Sequence, residues 1–261
     1  MFTTGDKDSR NIISIIQAER VAGGGLPFSI DEKMYVHTIV LGMKAIEVWN
    51  LCPAIYLMVG GTVASHKWNA KDMRDLDAAF RLSFFGSGVH NSLGFAGNAI
   101  NAYADTFLVP NTHLGINTSG LMYYNNNANA SNVGAVMGTN DEAPVFTQLA
   151  LGFDPANIGT NNTATAVPQN IVNRKGFRFM NREIAGSFYH YVNTNKTIVN
   201  NSTTVNSANK IIINAVSADS GVGNHANGTC SFAGISNGVS EEKVIRTIHL
   251  ITSAQAILNR Q

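Results

Sequence analysis

The chain has 261 residues, a formal charge of +1 and only 13% charged residues, about half the charged share of an average soluble domain. Near-neutrality without a Lys/Arg stripe excludes a nucleic-acid surface, and no apolar run approaches the roughly 18 residues that insert across a membrane. Two cysteines far apart, Cys52 and Cys230, make neither a disulfide framework nor a zinc site, and no cofactor is expected.

Asparagine takes the place of charge: 31 residues, 26 of them beyond residue 100. The polar Met1–Arg10 start and the short Ile12–Ile16 patch do not read as a signal peptide. A first helix is predicted over Ser9–Val21, ended by Gly23-Gly24-Gly25. Ser29-Ile30-Asp31-Glu32 has the form of a capping box, the serine hydroxyl taking an amide one turn on while Glu32 reaches back. Val36, Ile39, Val40, Met43 and Ile46 then recur at helical spacing. That helix is expected to stop before Pro53, because the residue preceding proline disfavours the α region. Residues 1–53 thus read as a helical extension that docks on the rest of the chain or on a neighbouring subunit.

From Ala54 the pattern changes to short β-prone runs separated by Gly, Asn, Ser and Thr. Strands are predicted at Ala54–Val59, Phe80–Phe85, Thr106–Val109, Leu114–Asn117, Leu121–Tyr124, Val133–Met137 and Val145–Phe153. Further runs are Gly176–Met180, Gly186–Val192, Lys196–Val199, Lys210–Val216 and Thr229–Ala233. Such runs, spaced by about 8 to 12 residues, predict an antiparallel sandwich or barrel, with Asn and Gly in the turns because both tolerate positive φ. No short repeat of the β-helix kind is present. A closing helix is predicted over residues 240–259, capped by Ser240 and started by Glu241 and Glu242, with Val244, Ile248, Ile251 and Leu258 buried. Without a flexible linker, residues 54–261 read as one mainly β sandwich domain closed by that helix.

Catalytic patterns are scarce. The seven histidines show neither HxH nor HExxH spacing. A retaining glycosidase needs two carboxylates roughly 5 Å apart, and Asp105, Asp141, Glu142 and Asp154 are the only charged residues between Asn101 and Asn173. Gly234-Ile235-Ser236-Asn237-Gly238 matches a nucleophile elbow. No aspartate follows Ser236, however, and the next helix is capped at Ser240, so a strand-to-helix turn explains it better. Asp72, Asp75 and Asp77 are weak calcium candidates, since calcium takes about six to eight oxygens; Arg74 and Arg81 offer local ion pairs instead. Thr139-Asn140-Asp141-Glu142 is a weaker candidate of the same kind.

Aromatic and amide clusters are more suggestive. Tyr123 and Tyr124 precede Asn125, Asn126 and Asn127, and Tyr189 and Tyr191 alternate with His190, so both tyrosines share one strand face. Aromatic planes beside amides suit a sugar, whose C–H face stacks on a ring while its hydroxyls pair with Asn. Tyr123, Tyr124, Asn125, Asn126, Tyr189 and Tyr191 are therefore the candidate glycan contacts, with core packing of one strand face as the competing reading.

Three segments carry a family resemblance. Ala54–Thr62, continuing through Ser65-His66-Lys67-Trp68-Asn69 to Asp75–Leu82, resembles a block in virion fibre proteins of phages infecting Bacteroidetes, crAss-like phages among them. Asn101–Thr106 is similar to a short motif of the same proteins, and Cys230–Glu242 running into Leu258-Asn259-Arg260 resembles their closing strand, turn and helix. The resemblance implies a laminin-G or concanavalin A-like jelly roll in the virion, assembled in the host cytoplasm, as a tail-fibre, tail-spike or head-fibre component. It implies binding and supplies no catalytic residues. The chain departs from the pattern at Phe85-Gly86-Ser87-Gly88-Val89-His90-Asn91, where the resemblance leads to a Trp-containing loop. Other virion proteins, host-surface glycan and further copies of the chain are the expected partners, since symmetric assembly multiplies weak sites. The absence of a repetitive shaft suggests a tip or decoration. A ligand-free decoration and a glycan depolymerase are the rival expectations.

Overall fold

The computed structural model describes residues 6–130, 134–141, 147–154, 157–161, 174–200 and 205–261, with side chains described outside 147–161. Two helices open it, α1 (Lys7–Ala22) and α2 (Ile30–Ala45). Asp6 caps α1 by accepting the amides of Asp8 and Ser9, and Gly24 follows its end at φ 83°. The capping box of α2 forms in both directions, Glu32 N donating to Ser29 Oγ at 3.1 Å and Ser29 N to Glu32 Oε2 at 2.8 Å. α2 ends at Ala45, well before Pro53, because Glu47 adopts a left-handed φ of 58°.

Short elements follow: β1 (Ala54–Tyr56), α3 (Val63–His66), β2 (Ser83–Phe85), β3 (Val89–Asn91), β4 (Gly94–Ala96), β5 (Tyr103–Asp105) and α4 (Pro110–His113). The longer strands are β6 (Ser119–Asn125), β7 (Ala135–Asp141), β8 (Thr147–Asp154), β9 (Asn157–Asn161), β10 (Gly176–Arg182), β11 (Ser187–Val192) and β12 (Asn195–Asn200). The chain closes with β13 (Ile212–Ile213), β14 (Val216–Ala218), β15 (Gly221–Gly223), β16 (Thr229–Ser236) and α5 (Glu241–Ile257).

Two sheets form the sandwich. Sheet I runs β12-β11-β10-β6-β16-β4-β3, with β1 also on β16. Sheet II runs β15-β14-β7-β13-β5-β2, with β8 on β7 and β9 on β8. Every pairing is antiparallel except β14 beside β7. Alternation along sheet I sorts its side chains into two cores. Leu121, Tyr123, Met180, Ala233 and Ile235 point between the sheets, against Ala104, Val136 and Ile213 of sheet II. Met122, Tyr124, Phe177, Phe179 and Phe232 point the other way, against Val36, Ile39, Val40 and Met43 of α2 and Val244, Ile248 and Ile251 of α5. The fold is thus a mainly β sandwich whose N-terminal and C-terminal helices cover one sheet.

Polar contacts fasten that cover. Tyr35 Oη on α2 donates to Leu57 O at 2.9 Å and accepts from Gln255 Nε2 of α5 at 3.0 Å. The buried Arg260 donates to Ser92 O at 2.8 Å and to Met58 O at 2.9 Å.

Several expectations change. Neither Thr106–Val109 nor Leu114–Asn117 is a strand: Phe107 turns left-handed at φ 58°, and Pro110 starts α4. Asn214, at φ 63°, splits the Lys210–Val216 run into β13 and β14. Ser240 occupies the N-cap of α5 but its side chain makes no cap hydrogen bond, and Leu258 is only partly buried. The β3–β4 hairpin was not visible as two strands; it closes on Gly94, at φ 128°, where a Cβ would meet Cys230 O at 2.0 Å. Val133, Glu142 and Val145 lie outside the described residues.

Candidate functional site

The structure places most of the expected glycan contacts inside the protein. Tyr123 is fully buried, its hydroxyl donating to Asn214 Oδ1 at 2.7 Å, and burial holds its pKa well above the ordinary value. Tyr124 and Tyr191 are buried in the core beneath the helices. Asn125 is a splint between backbones. Its Oδ1 accepts from Asn127 N and Thr229 N, and its Nδ2 donates to Asn127 O and Arg174 O. Asn126 is buried as well. Tyr189 alone of the six is half-exposed, and it lies beneath Lys196, whose Nζ is 4.3 Å from the ring centroid and 2.6 Å from Glu241 Oε2. The alternation of Tyr189, His190 and Tyr191 is present as expected, but it sorts them between two cores rather than between core and solvent. In this fold the six do not form a ligand surface.

The acidic candidates are engaged locally. Asp72 pairs with Arg74, Asp75 with Lys67 and Arg81, and Asp77 with Arg81. Asp141 accepts from Ser207 Oγ, Ala208 N and Asn209 Nδ2, which pins the segment after β12 to the end of β7. Among the described residues no group of three His, Cys, Asp or Glu is arranged to hold a metal ion.

Two histidines meet unexpectedly. His66 Nδ1 lies 2.9 Å from His90 Nδ1, and His66 Nε2 accepts from Gly61 N at 3.1 Å. A backbone amide only donates, so neutral His66 carries its proton on Nδ1 and gives it to His90. The pair is a hydrogen bond between α3 and β3, and its tautomers leave no shared lone-pair site for a metal. Burial lowers both pKa values, His90 to about 4. Ser236 is the last residue of β16, fully buried and paired with Gly120 of β6, so it presents no nucleophile. A second serine, Ser9, touches His37 Nδ1 at 2.7 Å but is equally buried.

The accessible aromatic feature lies on sheet II. β2 is an edge strand paired with β5, Phe84 opposite Ala104 and Phe85 opposite Tyr103. Phe84 and Ala104 face the core between the sheets, so alternation turns Phe85 and Tyr103 to the outer face. Their rings stack, 4.9 Å between centroids and 15° between planes, and Phe85 remains 44% exposed. His225 flanks Tyr103 at 5.9 Å. The turn after Phe85 is held against the 98–101 loop: Asn101 Oδ1 accepts from Ser87 N at 3.2 Å and from Asn98 Nδ2 at 2.8 Å. Gly86, at φ 72°, leaves no room there, since a Cβ would meet Asn101 O at 2.1 Å. The result is a fixed aromatic ledge bordered by an exposed asparagine. The sequence signal was the Phe84-Phe85 pair at the end of a predicted strand; what it lacked was the partner, Tyr103.

No family model matches the chain, and no curated protein matches it. Its fold is similar to part of the Trypanosoma rangeli sialidase, solved in complex with 2,3-difluorosialic acid, with a TM-score of 0.51 and 13% identity over 86% of this chain and 40% of that one. Domain 4 of AbnA, a GH43 extracellular arabinanase from Geobacillus stearothermophilus in complex with arabinotriose, gives 0.47 and 12% over 76% of this chain and 98% of that one. The NanB sialidase of Streptococcus pneumoniae, as its K499G mutant, gives 0.44 and 15% over 62% and 27%. The chain therefore spans well under half the length of either sialidase. At these identities the first likeness shows a shared β-sandwich fold and nothing of activity.

Proposed function

We propose that the chain is a non-catalytic virion component, of the tail-fibre, tail-spike or head-fibre kind, that binds host-surface glycan on the outer face of sheet II. The observation that carries the glycan part is the stacked, half-exposed Phe85–Tyr103 pair, on a face that the helix layer leaves alone. Aromatic planes on a rigid scaffold are what a saccharide ring needs: contact area at little entropic expense. The virion part is supported by the sequence resemblance across residues 54–82, 101–106 and 230–260. The non-catalytic part is supported by the engagement of Asp72, Asp75, Asp77, Asp105 and Asp141 in ion pairs and backbone hydrogen bonds.

A glycan array probed with the purified chain tests the reading. Binding that weakens about tenfold in Phe85→Ala, with little change in melting, is expected; an array without hits would overturn glycan binding. Release of new reducing ends from host capsular polysaccharide would replace binding by hydrolysis. Cryo-EM of the intact phage should locate the chain on tail or head, and its absence from virions would remove the structural role. The second reading, a decoration without ligand, is favoured by the outward apolar stripe of α2, where Ile30 is 70% and Leu41 46% exposed.

A further inference from the structure

We infer that the Phe85–Tyr103 ledge takes the flat C–H face of a neutral pyranose and rejects acidic sugars such as sialic or uronic acids; this rests on the glycan-binding reading above. The charge layout of sheet II carries the inference. Its described strands contain three aspartates, Asp105, Asp141 and Asp154, and neither lysine nor arginine. Recognition of a sugar carboxylate draws on cationic donors, bidentate arginine above all. The two cations nearest in sequence to β2 and to β13 are already held. Arg81 pairs with Asp75 and Asp77, and Lys210 pairs with Asp105 at 2.9 Å, with its Nζ 4.7 Å from the Phe107 ring centroid. Alternation along β5 puts Asp105 on the same outer face as Tyr103. A carboxylated sugar on the ledge would meet a neutralised ion pair with an acid as its nearest strand charge, and would lose hydration without a compensating partner.

A neutral ring meets no such obstacle. Phe85 offers π surface already squared against Tyr103, and sugar C–H groups carry the partial positive charge that a ring face attracts. Asn101 supplies the polar complement. Its Oδ1 is committed to Ser87 N and Asn98 Nδ2, which fixes the amide plane and leaves the NH2 group to donate to a sugar hydroxyl or ring oxygen. Stacking plus a neutral hydrogen bond is insensitive to ionic strength, whereas a charge-paired site is screened.

Titration calorimetry with the full chain tests this, using neutral hexose oligosaccharides and matched oligomers carrying sialyl or uronate residues, at low and high salt. The expected result is binding of neutral oligomers with affinity unchanged by salt. Phe85→Ala should weaken it about tenfold, and Phe85→Trp should preserve or tighten it. Saturation-transfer NMR on the wild-type chain gives a readout independent of variant folding: saturation should concentrate on the axial C–H groups of one sugar face. Binding confined to acidic oligomers, or lost at high salt, overturns the inference while leaving glycan binding in place. Failure of the wild-type chain to bind either set overturns the inference together with the reading beneath it.

Discussion

The two sheets of the sandwich solve the same burial problem differently. Sheet I is covered on both faces, so its strands carry large apolar residues at successive positions: Leu121, Met122, Tyr123 and Tyr124 in β6 are all buried. Sheet II has one face in the shared core and, among the described residues, none in the helix-side core. Its aromatic side chains divide between core and solvent, as Phe84 and Phe85 do. A face sealed by helices is where stability is made. The face without them is where a ligand can be met.

Matched substitutions put that contrast to the test. Phe179→Ala, in the core between sheet I and the helices, should lose about 3–5 kcal/mol, the range for a buried phenylalanine, read from urea unfolding. Arg260→Met removes a buried guanidinium from the carbonyls of Ser92 and Met58 and should lose about 3 kcal/mol. Asn125→Leu strands four backbone groups that the amide now pairs, for a loss of about 2 kcal/mol.

Acid should act on the covered side as well. His90 and His190 lie in β3 and β11 of sheet I and His66 in α3 against β3, and burial keeps each below its ordinary pKa, His90 at about 4 and His190 at about 3. The folded chain keeps them neutral, while the unfolded chain takes up protons below its ordinary value of about 6.5. Stability is therefore full above that pH and falls as the pH drops towards 4 and then 3. The half-exposed His90 accounts for about 1–2 kcal/mol of the fall after solvent screening. A melting temperature that stays level between neutrality and pH about 4 would contradict the sealed interior. The smallest effect is expected on the other sheet, where Phe85→Ala should change stability by about 1 kcal/mol or less while weakening glycan binding about tenfold. A loss as large as that of Phe179→Ala would mean that the ledge belongs to the core.

Much of this architecture was readable from local pattern. The capping box at Ser29, the stripe Val36–Met43, the β-rich stretch beyond Ala54 and the closing helix follow from spacing and end chemistry, which act over a few residues. The aspartates at 72, 75 and 77 also behave as local charge pairs with their neighbouring arginines. The asparagines did not read correctly. Asn193, Asn214 and Asn224 do take positive φ at turns, but Asn69, Asn125, Asn181 and Asn214 itself are fully buried. There Asn69, Asn125 and Asn181 bond backbone groups of distant segments, while Asn214 takes the Tyr123 hydroxyl. An amide has two donors and two acceptor sites without net charge, so it can satisfy a buried backbone where a charged group would be expensive to desolvate.

Most of the candidate glycan residues lie buried for a related reason. Alternation within a strand tells which residues share a face, and for Tyr189 and Tyr191 it did. Which face looks outward depends on pairing with strands far away in the chain, and a shift of one residue in register exchanges the two faces. The sequence by itself determined that this is a neutral, mainly β chain with helical ends, poor in free carboxylates. Only the tertiary structure decided that sheet II would bury Tyr123 on one face of sheet I while the helices bury Tyr124 and Tyr191 on the other, and that Phe85 and Tyr103, 18 positions apart in the numbering, would stack on the outer face of sheet II. Composition and spacing act locally, whereas exposure is a property of what packs against what.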